Sequence, residues 1–329
     1  MEKLKSLNEK GKNMNTLLIG CGAVGIGIAT ALYDSKVPLD LVARGATKKA
    51  IEEKGIKRVG LLNEIVVPAK VVQVYEGIKD IKNKCYDFII ICAKTTHSSK
   101  IFEELSRNKN LLSSTSKIII VQNGLEDEDT YLQYFNKDQV YSARVFIGFI
   151  RPELHISEVT VYASGLLMGS LYGYSVDELQ PLATAIDQGG IPSKVAPQIG
   201  KNIWAKLLYN CALNPLGAIL GVSYGKLIEN PHSIEVMSKI IEEVYSVMKA
   251  TENETFWVDA DSYKKHFLNK LVPPTAEHKS SMLQDIERKM RTEIDSLSGA
   301  IVKLGKKHGV EVPYNEMIVH LIKTIESGY

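Results

Sequence analysis

Three polar side chains recur at helical spacing in an apolar segment of the chain, and one of them is a lysine. Lys206, Asn210 and Asn214 are four residues apart, which places them within about 80° of arc on one face of a helix. The positions between them are almost wholly apolar, so we expect a buried helix whose polar stripe faces a cleft. Burial lowers the pKa of a lysine, which can then donate a proton near neutral pH. The alternative is a solvated stripe on an exposed helix.

A second pattern is typical of a phosphate-binding loop. An apolar strand leads into the spacing G-x-G-x-x-G, and a helical pattern and a second apolar strand follow. Gly20 permits a tight turn, Gly22 lets a pyrophosphate approach the backbone, and Gly25 lets the helix lie close to the strand. The N–H groups at the start of that helix can then bind phosphates. We expect a dinucleotide to bind this loop, which consists of Gly20, Cys21, Gly22, Ala23, Val24 and Gly25.

The end of the second strand indicates which dinucleotide is bound. An acid at this position binds the ribose 2′-OH of NAD, whereas an arginine accommodates the 2′-phosphate of NADP. Arg44 lies 19 residues after Gly25, close to the usual offset of about 20. Lys48 and Lys49 follow it, and no acid stands at the strand end, although Asp40 precedes it. NADP(H) is therefore the predicted cofactor; the alternative is that Arg44 is a solvated loop cation.

Two further strands end in polar residues. Lys94 follows the apolar run 88–92, and Asn123 follows the apolar run 118–121. Ligands bind at the carboxyl ends of the strands in sheets of this kind. We therefore expect Lys94 and Asn123 to lie at the same crevice as the glycine loop, with ordinary loop residues as the alternative.

The elements that position these residues alternate between strand and helix in the first half of the chain. Near-continuous apolar runs are typical of parallel strands buried on both faces. The stretch 64–74 predicts extra strands or a hairpin, and the segments 144–150, 159–163 and 166–171 predict an antiparallel extension of the sheet. Beyond Pro197 the period is helical almost throughout. We expect an N-terminal extension over 1–14, an α/β Rossmann-type domain with a mostly parallel sheet over 15–197, and an all-α domain over 198–329.

The composition excludes several other classes of protein. The chain has 329 residues, 45% of them hydrophobic and 24% charged, with a formal net charge of +2. This balance favours neither a nucleic-acid nor a membrane surface. No apolar run approaches the ~20 residues of a membrane span, and segment 1–14 lacks the apolar stretch of a signal peptide. The four cysteines have no metal-ligand spacing, so we expect a cytoplasmic protein without a metal. The oligomeric state stays open, a homodimer included.

Taken together, these segments resemble the ketopantoate reductase family, the 2-dehydropantoate 2-reductases, over nearly the whole chain. The most specific parts are the run 204–215 and the segments 281–285 and 292–295. The glycine loop and the residues at the strand ends add to them. The resemblance implies NADPH-dependent reduction of 2-dehydropantoate to (R)-pantoate, a step of pantothenate and coenzyme A biosynthesis.

The resemblance also implies roles in catalysis and substrate binding. Lys206 matches the general acid, which protonates the carbonyl oxygen as the hydride arrives. Glu293 matches the carboxylate that engages the substrate hydroxyl and orients the site. Ser281, Asn210 and Asn214 match polar residues that bind the substrate, a small anionic 2-oxo acid.

For the cofactor, Arg44 matches the residue that meets the 2′-phosphate of NADP, and Lys94 and Asn123 match residues at the junction of cofactor and substrate. The chain departs from the family at His278, where relatives often carry an asparagine three positions before the substrate serine. An NADP-dependent reductase of another 2-oxo acid therefore stays an alternative. A non-catalytic NADP(H)-binding sensor is a third interpretation, which the presence of the acid–base residues disfavours.

The spacing of two substrate residues makes a geometric prediction. Ser281 and Glu293 are 12 residues apart, which is about 18 Å along one straight helix, with the side chains about 120° apart. One small keto acid cannot contact both, so the helix must break between them. Thr292 and Asp295 fit a capping box that would begin the second piece. We predict a non-helical turn within 286–291, although that segment contains no glycine or proline.

Overall fold

The computed structural model describes residues 14–125 and 128–329, which divide into two compact units. The first unit contains the described residues 14–122 and 128–199, and the second contains 123–125 and 200–329. The predicted extension over 1–14 lies, except for Met14, outside the described residues. Within these ranges no helix is long and apolar enough to cross a membrane. The same ranges contain no group of three or more His, Cys, Asp or Glu side chains that could hold a metal ion.

The first unit is built on one ten-stranded sheet. Its strands are β1 (Thr16–Ile19), β2 (Leu39–Val42), β3 (Ile56–Gly60), β4 (Ile65–Val67), β5 (Gln73–Tyr75), β6 (Tyr86–Ile91), β7 (Leu112–Val121), β8 (Val140–Ile150), β9 (Ile156–Gly169) and β10 (Ser193–Val195). The order is β4-β3-β9-β8-β7-β6-β1-β2-β5, and β10 pairs with β9. The β3–β4 and β8–β9 pairs are antiparallel, and the other pairs are parallel. The predicted mostly parallel sheet with an antiparallel extension is confirmed.

Helices and turns connect these strands and cover both faces of the sheet. The helices are α1 (Ala23–Asp34), α2 (Gly45–Lys54), α3 (Ser98–Arg107), α4 (Asp129–Leu132) and α5 (Gln180–Gln188). Alternate residues of a strand point to opposite faces. Leu18 therefore lies in one buried cluster of side chains, while Leu17 and Ile19 lie in another. This two-sided burial explains why the central strands are near-continuous apolar runs.

The stretch 64–74 is divided between the two edges of the sheet. β4 pairs antiparallel with β3, with Ile56 opposite Val67, so of the two alternatives predicted for 64–74 the structure has extra strands. β5 instead lies parallel to β2, with Tyr75 opposite Val42. The residues that follow β5 are thereby brought to the carboxyl end of β2.

The second unit is helical, and its described residues include no strand. Its helices are α6 (Ile199–Leu220), α7 (Tyr224–Ile228), α8 (Pro231–Ala250), α9 (Ala260–His266), α10 (Ser281–Glu287), α11 (Ser298–His308) and α12 (Pro313–Glu326). A π-helical turn over Phe267–Leu271 continues α9. Apolar faces of α6, α8, α11 and α12 share one buried core, in which Leu208, Val244, Ile301 and Ile318 are at most 1% exposed. The predicted all-helical character of this region is confirmed.

A buried carboxylate fixes the start of α12. Glu243 on α8 is 9% exposed and accepts hydrogen bonds from the backbone N–H groups of Tyr314 and Asn315, at 2.8 and 2.9 Å. The side-chain amide of Asn315 donates to the same carboxylate at 2.8 Å. Negative charge at a helix N-terminus is favourable because it meets unpaired N–H donors. This contact therefore ties α12 to α8.

Candidate active site

The glycine loop has the geometry that its sequence predicts. β1 ends at Ile19, and Gly20 follows with φ +101°, a left-handed value that favours glycine. A Cβ at Gly20 would lie 2.5 Å from the backbone nitrogen of Ala93, and one at Gly25 would lie 2.0 Å from the carbonyl oxygen of Gly20. Both positions therefore require the absence of a side chain.

The start of α1 is open to an anion. Its N-cap residue, Gly22, provides no side-chain cap, and the first turn contains no acidic residue. A Cβ built on Gly22 would meet no atom within 4 Å. Ala23 and Val24 form the first turn and are half-buried. An uncapped helix N-terminus with open space beside it is suited to phosphate.

Cys21, between these glycines, contributes a buried thiol. Its Sγ donates to the carbonyl oxygen of Val42 at 3.7 Å, and burial raises the pKa of the thiol to about 12. The thiol therefore stays protonated at neutral pH. Cys21 holds the loop against the end of β2, and its backbone is the part of the residue suited to a ligand.

Arg44 lies at the start of α2, directly after β2. Its side chain is 50% exposed, and its guanidinium lies 3.5 Å from the carboxylate of Glu104. Lys48 pairs with Glu52 at 2.6 Å, four residues further along the helix. Both cations stand near the strand end where sequence reasoning expects the 2′-phosphate, and each has an exposed or partly exposed carboxylate as its partner.

Sequence reasoning missed one carboxylate at this position. Glu76 follows β5, and its Oε1 accepts from the backbone N–H of Gly45, the first residue of α2, at 2.9 Å. An acid thus lies next to Arg44, although none stands at the end of β2 itself. The sequence offers no local signal for this contact, because it depends on the pairing of β5 with β2.

Lys94 lies at the end of β6, where it precedes the 3-10 helix Thr95–His97. Gln122 directly follows the neighbouring strand β7 and ties the end of that strand to the segment around Lys94. It is a buried residue that sequence reasoning did not select. The amide Nε2 of Gln122 donates to the carbonyl oxygen of Ala93 at 2.6 Å and lies 2.9 Å from the hydroxyl oxygen of Ser98. These two contacts fix the Ala93 backbone, directly before Lys94, and the Ser98 side chain, four residues after it.

Asn123 packs within the second unit, beside Glu293. Its amide Nδ2 donates to the Glu293 carboxylate at 3.4 Å. The next residues extend the contact: the Leu125 N–H donates to the carbonyl oxygen of Ser296 at 2.8 Å. Gly124 has φ +82°, and a Cβ there would lie 2.1 Å from that same oxygen. The glycine therefore allows the approach that brings Asn123 to Glu293, 170 residues further along the chain.

The predicted stripe on α6 is largely buried. Asn210 is 6% exposed and Asn214 is 4% exposed, whereas Lys206 is half-buried. The solvated-stripe alternative is therefore wrong for the two asparagines. The side-chain amide of Asn210 makes no hydrogen bond to any residue within 14–125 and 128–329. Its amide atoms are not among the fully buried unpaired polar atoms of the described residues and so remain accessible to solvent, which suits Asn210 to bind a polar ligand.

A buried serine connects Asn214 with Ser281. The Ser280 hydroxyl donates to the backbone carbonyl oxygen of Asn214 at 3.3 Å and accepts from the Leu283 N–H at 3.0 Å as the N-cap of α10. Ser281 is the exposed first residue of that helix. This bond ties the start of α10, where Ser281 lies, to the backbone of Asn214, and sequence reasoning noted Ser280 only as part of its segment.

The predicted break between Ser281 and Glu293 is confirmed, and its cause is a left-handed residue. α10 ends at Glu287, and Lys289 has φ +54°. The N–H groups of Lys289 and Met290 donate to the carbonyl oxygens of Ile286 and Asp285, at 2.9 and 2.8 Å. This pair of bonds is a Schellman motif, in which glycine is the usual left-handed residue. A lysine occupies that position here, so the sequence contains no conventional stop signal.

The capping box predicted for Thr292 and Asp295 is wrong. Thr292 Oγ1 accepts from the N–H of Ile294, two residues on, at 3.2 Å. Asp295 forms an ion pair with Lys323 at 2.6 Å. The reason is that a 3-10 helix over Ile294–Ser296 follows the break, and α11 begins only at Ser298. Glu293, rather than Thr292, is the residue that precedes the helical turn.

The chain is similar to known proteins over nearly its whole length. Residues 16–172 match the family model described as ketopantoate reductase PanE/ApbA, and residues 198–326 match the model of its C-terminal domain. The 2-dehydropantoate 2-reductase of Aquifex aeolicus is 36% identical over 95% of this chain and 97% of its own length. That of Archaeoglobus fulgidus is 28% identical over 94% and 97%.

Solved structures have the same fold. A PanE/ApbA family ketopantoate reductase from Ralstonia eutropha superposes with a TM-score of 0.81 and 25% identity, covering 96% of this chain and 99% of its own. A ternary structure of D-mandelate dehydrogenase with NADH and anilino(oxo)acetate has a TM-score of 0.82 and 23% identity, over 95% and 98% of the two chains. The parallel sheet, the glycine loop and the helical second unit define a Rossmann-type oxidoreductase fold. Within that class, the chain belongs to the ketopantoate reductase family.

Proposed function

We propose that this protein reduces 2-dehydropantoate to (R)-pantoate with NADPH, as a step of pantothenate and coenzyme A biosynthesis. In this proposal Lys206 is the general acid and Glu293 orients the substrate. The proposal is supported by the relatives named 2-dehydropantoate 2-reductase, which cover nearly the whole chain. The observation that carries it is the buried polar face of α6, where Asn210 has no partner among the described residues.

The proposed chemistry divides between the cofactor and the protein. Bound NADPH supplies the hydride, and addition of a hydride to a ketone places negative charge on the carbonyl oxygen. The Lys206 ammonium stabilises that charge and donates a proton to the same oxygen. Asn210, Asn214 and Ser281 bind the remaining polar atoms of the acid. Asn123, which contacts Glu293, holds that carboxylate in position.

The residues of the first unit fit a dinucleotide. The uncapped start of α1 and the open space above Gly22 suit a pyrophosphate. Arg44 is the proposed partner of the 2′-phosphate, and Lys94 is the proposed contact near the nicotinamide end. We accordingly propose that residues 15–197 form the NADP-binding domain and that residues 198–329 form the substrate and catalytic domain.

The test is a direct assay of the purified protein with NADPH and a panel of 2-oxo acids that includes 2-dehydropantoate, with oxidation of the nicotinamide followed by absorbance. We expect 2-dehydropantoate to have the highest kcat/KM in the panel and the product to be (R)-pantoate. Faster turnover of another 2-oxo acid would overturn the assignment of substrate. NADPH binding without turnover of any acid would favour the sensor alternative.

The surroundings of His278 favour a second candidate substrate, another 2-oxo acid. His278 packs against Tyr224 with ring centroids 5.2 Å apart, and Tyr224 contacts the proposed substrate residue Asn214. Because this chain has a histidine at position 278, where relatives often have an asparagine, the surroundings of the proposed substrate site differ from theirs. Reduction of another 2-oxo acid with the same cofactor is the second candidate function, and the same panel distinguishes it.

A further inference from the structure

The orientation of the Asn214 amide is set by a buried tyrosine. Tyr224, the first residue of α7, is 4% exposed, and its hydroxyl donates to Asn214 Oδ1 at 2.7 Å. Burial raises the pKa of Tyr224 well above its usual value of 10, so the phenol keeps its proton at any physiological pH. Tyr224 is therefore a permanent donor to Asn214.

This donor decides which end of the amide is available to a ligand. Among the residues that the structure describes, Asn214 Oδ1 is the one acceptor of the Tyr224 hydroxyl proton. An amide rotated by 180° would offer its NH₂ group to the phenol and leave that buried proton without an acceptor, which is costly. The Nδ2 group of Asn214, which bonds no described residue, is consequently the end presented to a ligand.

The Tyr224 ring is itself held on two sides. Tyr209 packs against it edge to face, with centroids 5.8 Å apart and an interplanar angle of 85°. His278 packs on it with centroids 5.2 Å apart and an angle of 63°. The backbone is fixed as well, because the Tyr224 N–H donates to the carbonyl oxygen of His278 at 3.1 Å. Such packing restricts the ring to one rotamer.

We propose that Tyr224 is a positioning residue, which holds the Asn214 amide as a hydrogen-bond donor to an oxygen of the 2-oxo acid, and that His278 maintains the position of the Tyr224 ring. The inference rests on the proposed function, since it concerns the same substrate. Held in this orientation, the N–H group of Asn214 recognises a carboxylate or ketone oxygen and rejects a donor group at that place.

The test is the variant Tyr224→Phe, which keeps the ring and removes the hydroxyl. We expect KM for the 2-oxo acid to rise about three- to tenfold, as for the loss of one buried hydrogen bond. KM for NADPH and the melting temperature should change little. Tyr245→Phe is the matched control, because Tyr245 is also largely buried and its hydroxyl bonds the Trp257 carbonyl oxygen at 3.4 Å instead of Asn214. It should leave KM for the acid unchanged.

A second comparison separates positioning from a merely structural effect. In an Asn214→Ala background, Tyr224→Phe should raise KM no further, because the amide that it orients is absent. Asn214→Asp should raise KM more than about a hundredfold, because a carboxylate cannot donate and repels an anion. An unchanged KM in Tyr224→Phe, or a full effect in the Asn214→Ala background, would overturn the inference. A wild-type protein that reduces no 2-oxo acid would instead overturn the proposed function, and this inference with it.

Discussion

Replacing Arg44 by alanine tests how the protein selects its cofactor. An arginine–phosphate hydrogen bond contributes about 1.5–3 kcal/mol. Before the phosphate binds, however, Arg44 is paired with Glu104 at 3.5 Å and is half exposed, and such surface pairs contribute about 0–1 kcal/mol. Subtracting the middle of that range, about 0.5 kcal/mol, leaves a net gain from the 2′-phosphate of about 1–2.5 kcal/mol, which corresponds to an affinity about 5 to 70 times higher.

The assay is cofactor binding measured by nicotinamide fluorescence at constant ionic strength, because exposed charge pairs are screened by salt. We expect Arg44→Ala to raise the Kd of NADPH about 5- to 70-fold and the Kd of NADH less than about twofold. Glu104→Gln releases Arg44 from its partner and should tighten NADPH binding by up to about fivefold. Lys49→Ala is a matched control and should leave the Kd of NADPH unchanged, since that lysine is 77% exposed and pairs with Glu53 at 3.9 Å.

The neighbouring carboxylate extends this test. Glu76 accepts from the Gly45 N–H beside Arg44, so it places negative charge near the proposed phosphate position and could accept from the 2′-OH of NADH. Glu76→Gln should therefore shift the preference further toward NADPH. Equal affinity of the wild-type protein for NADPH and NADH, or equal weakening of both in Arg44→Ala, would refute the assignment of Arg44 to the 2′-phosphate.

Three further predictions concern catalysis and stability. In steady-state kinetics, Lys206→Ala should lower kcat about 10²- to 10⁴-fold while NADPH still binds. The control Lys201→Ala, at a lysine of the same helix that pairs with Glu254, should leave kcat unchanged. Turnover of Lys206→Ala within about threefold of wild type would exclude Lys206 as the acid. Glu243→Ala should lower the free energy of unfolding by about 2–4 kcal/mol, because it leaves the buried N–H groups at the start of α12 unpaired; denaturant unfolding measures this loss, and no comparable loss is expected for the exposed Glu235→Ala. Lys289→Gly should raise the free energy of unfolding by about 0.5–1 kcal/mol, because glycine adopts the left-handed conformation without the steric cost of a side chain; a less stable variant would contradict the strain assigned to Lys289.

Local sequence patterns determined much of this protein. The glycine loop follows from residues 20–25 alone, because a strand, a tight turn and a helix each depend on neighbouring residues. The apolar runs predicted parallel strands buried on both faces, and the four-residue spacing on α6 predicted one buried polar face. The break before Glu293 also followed from geometry, since one helix could not bring Ser281 and Glu293 to the same small ligand.

Tertiary structure decided the contacts between residues that are distant in sequence. Glu76 reaches the start of α2 because β5 pairs with β2, and Asn123 reaches Glu293 because Gly124 approaches Ser296. Thr292 and Asp295 match the sequence pattern of a capping box, yet a 3-10 turn forms after the break and no capping box is made there. Periodicity and spacing report only which face of one element is buried. The partner across that face depends on how the elements pack, and no local pattern specifies it.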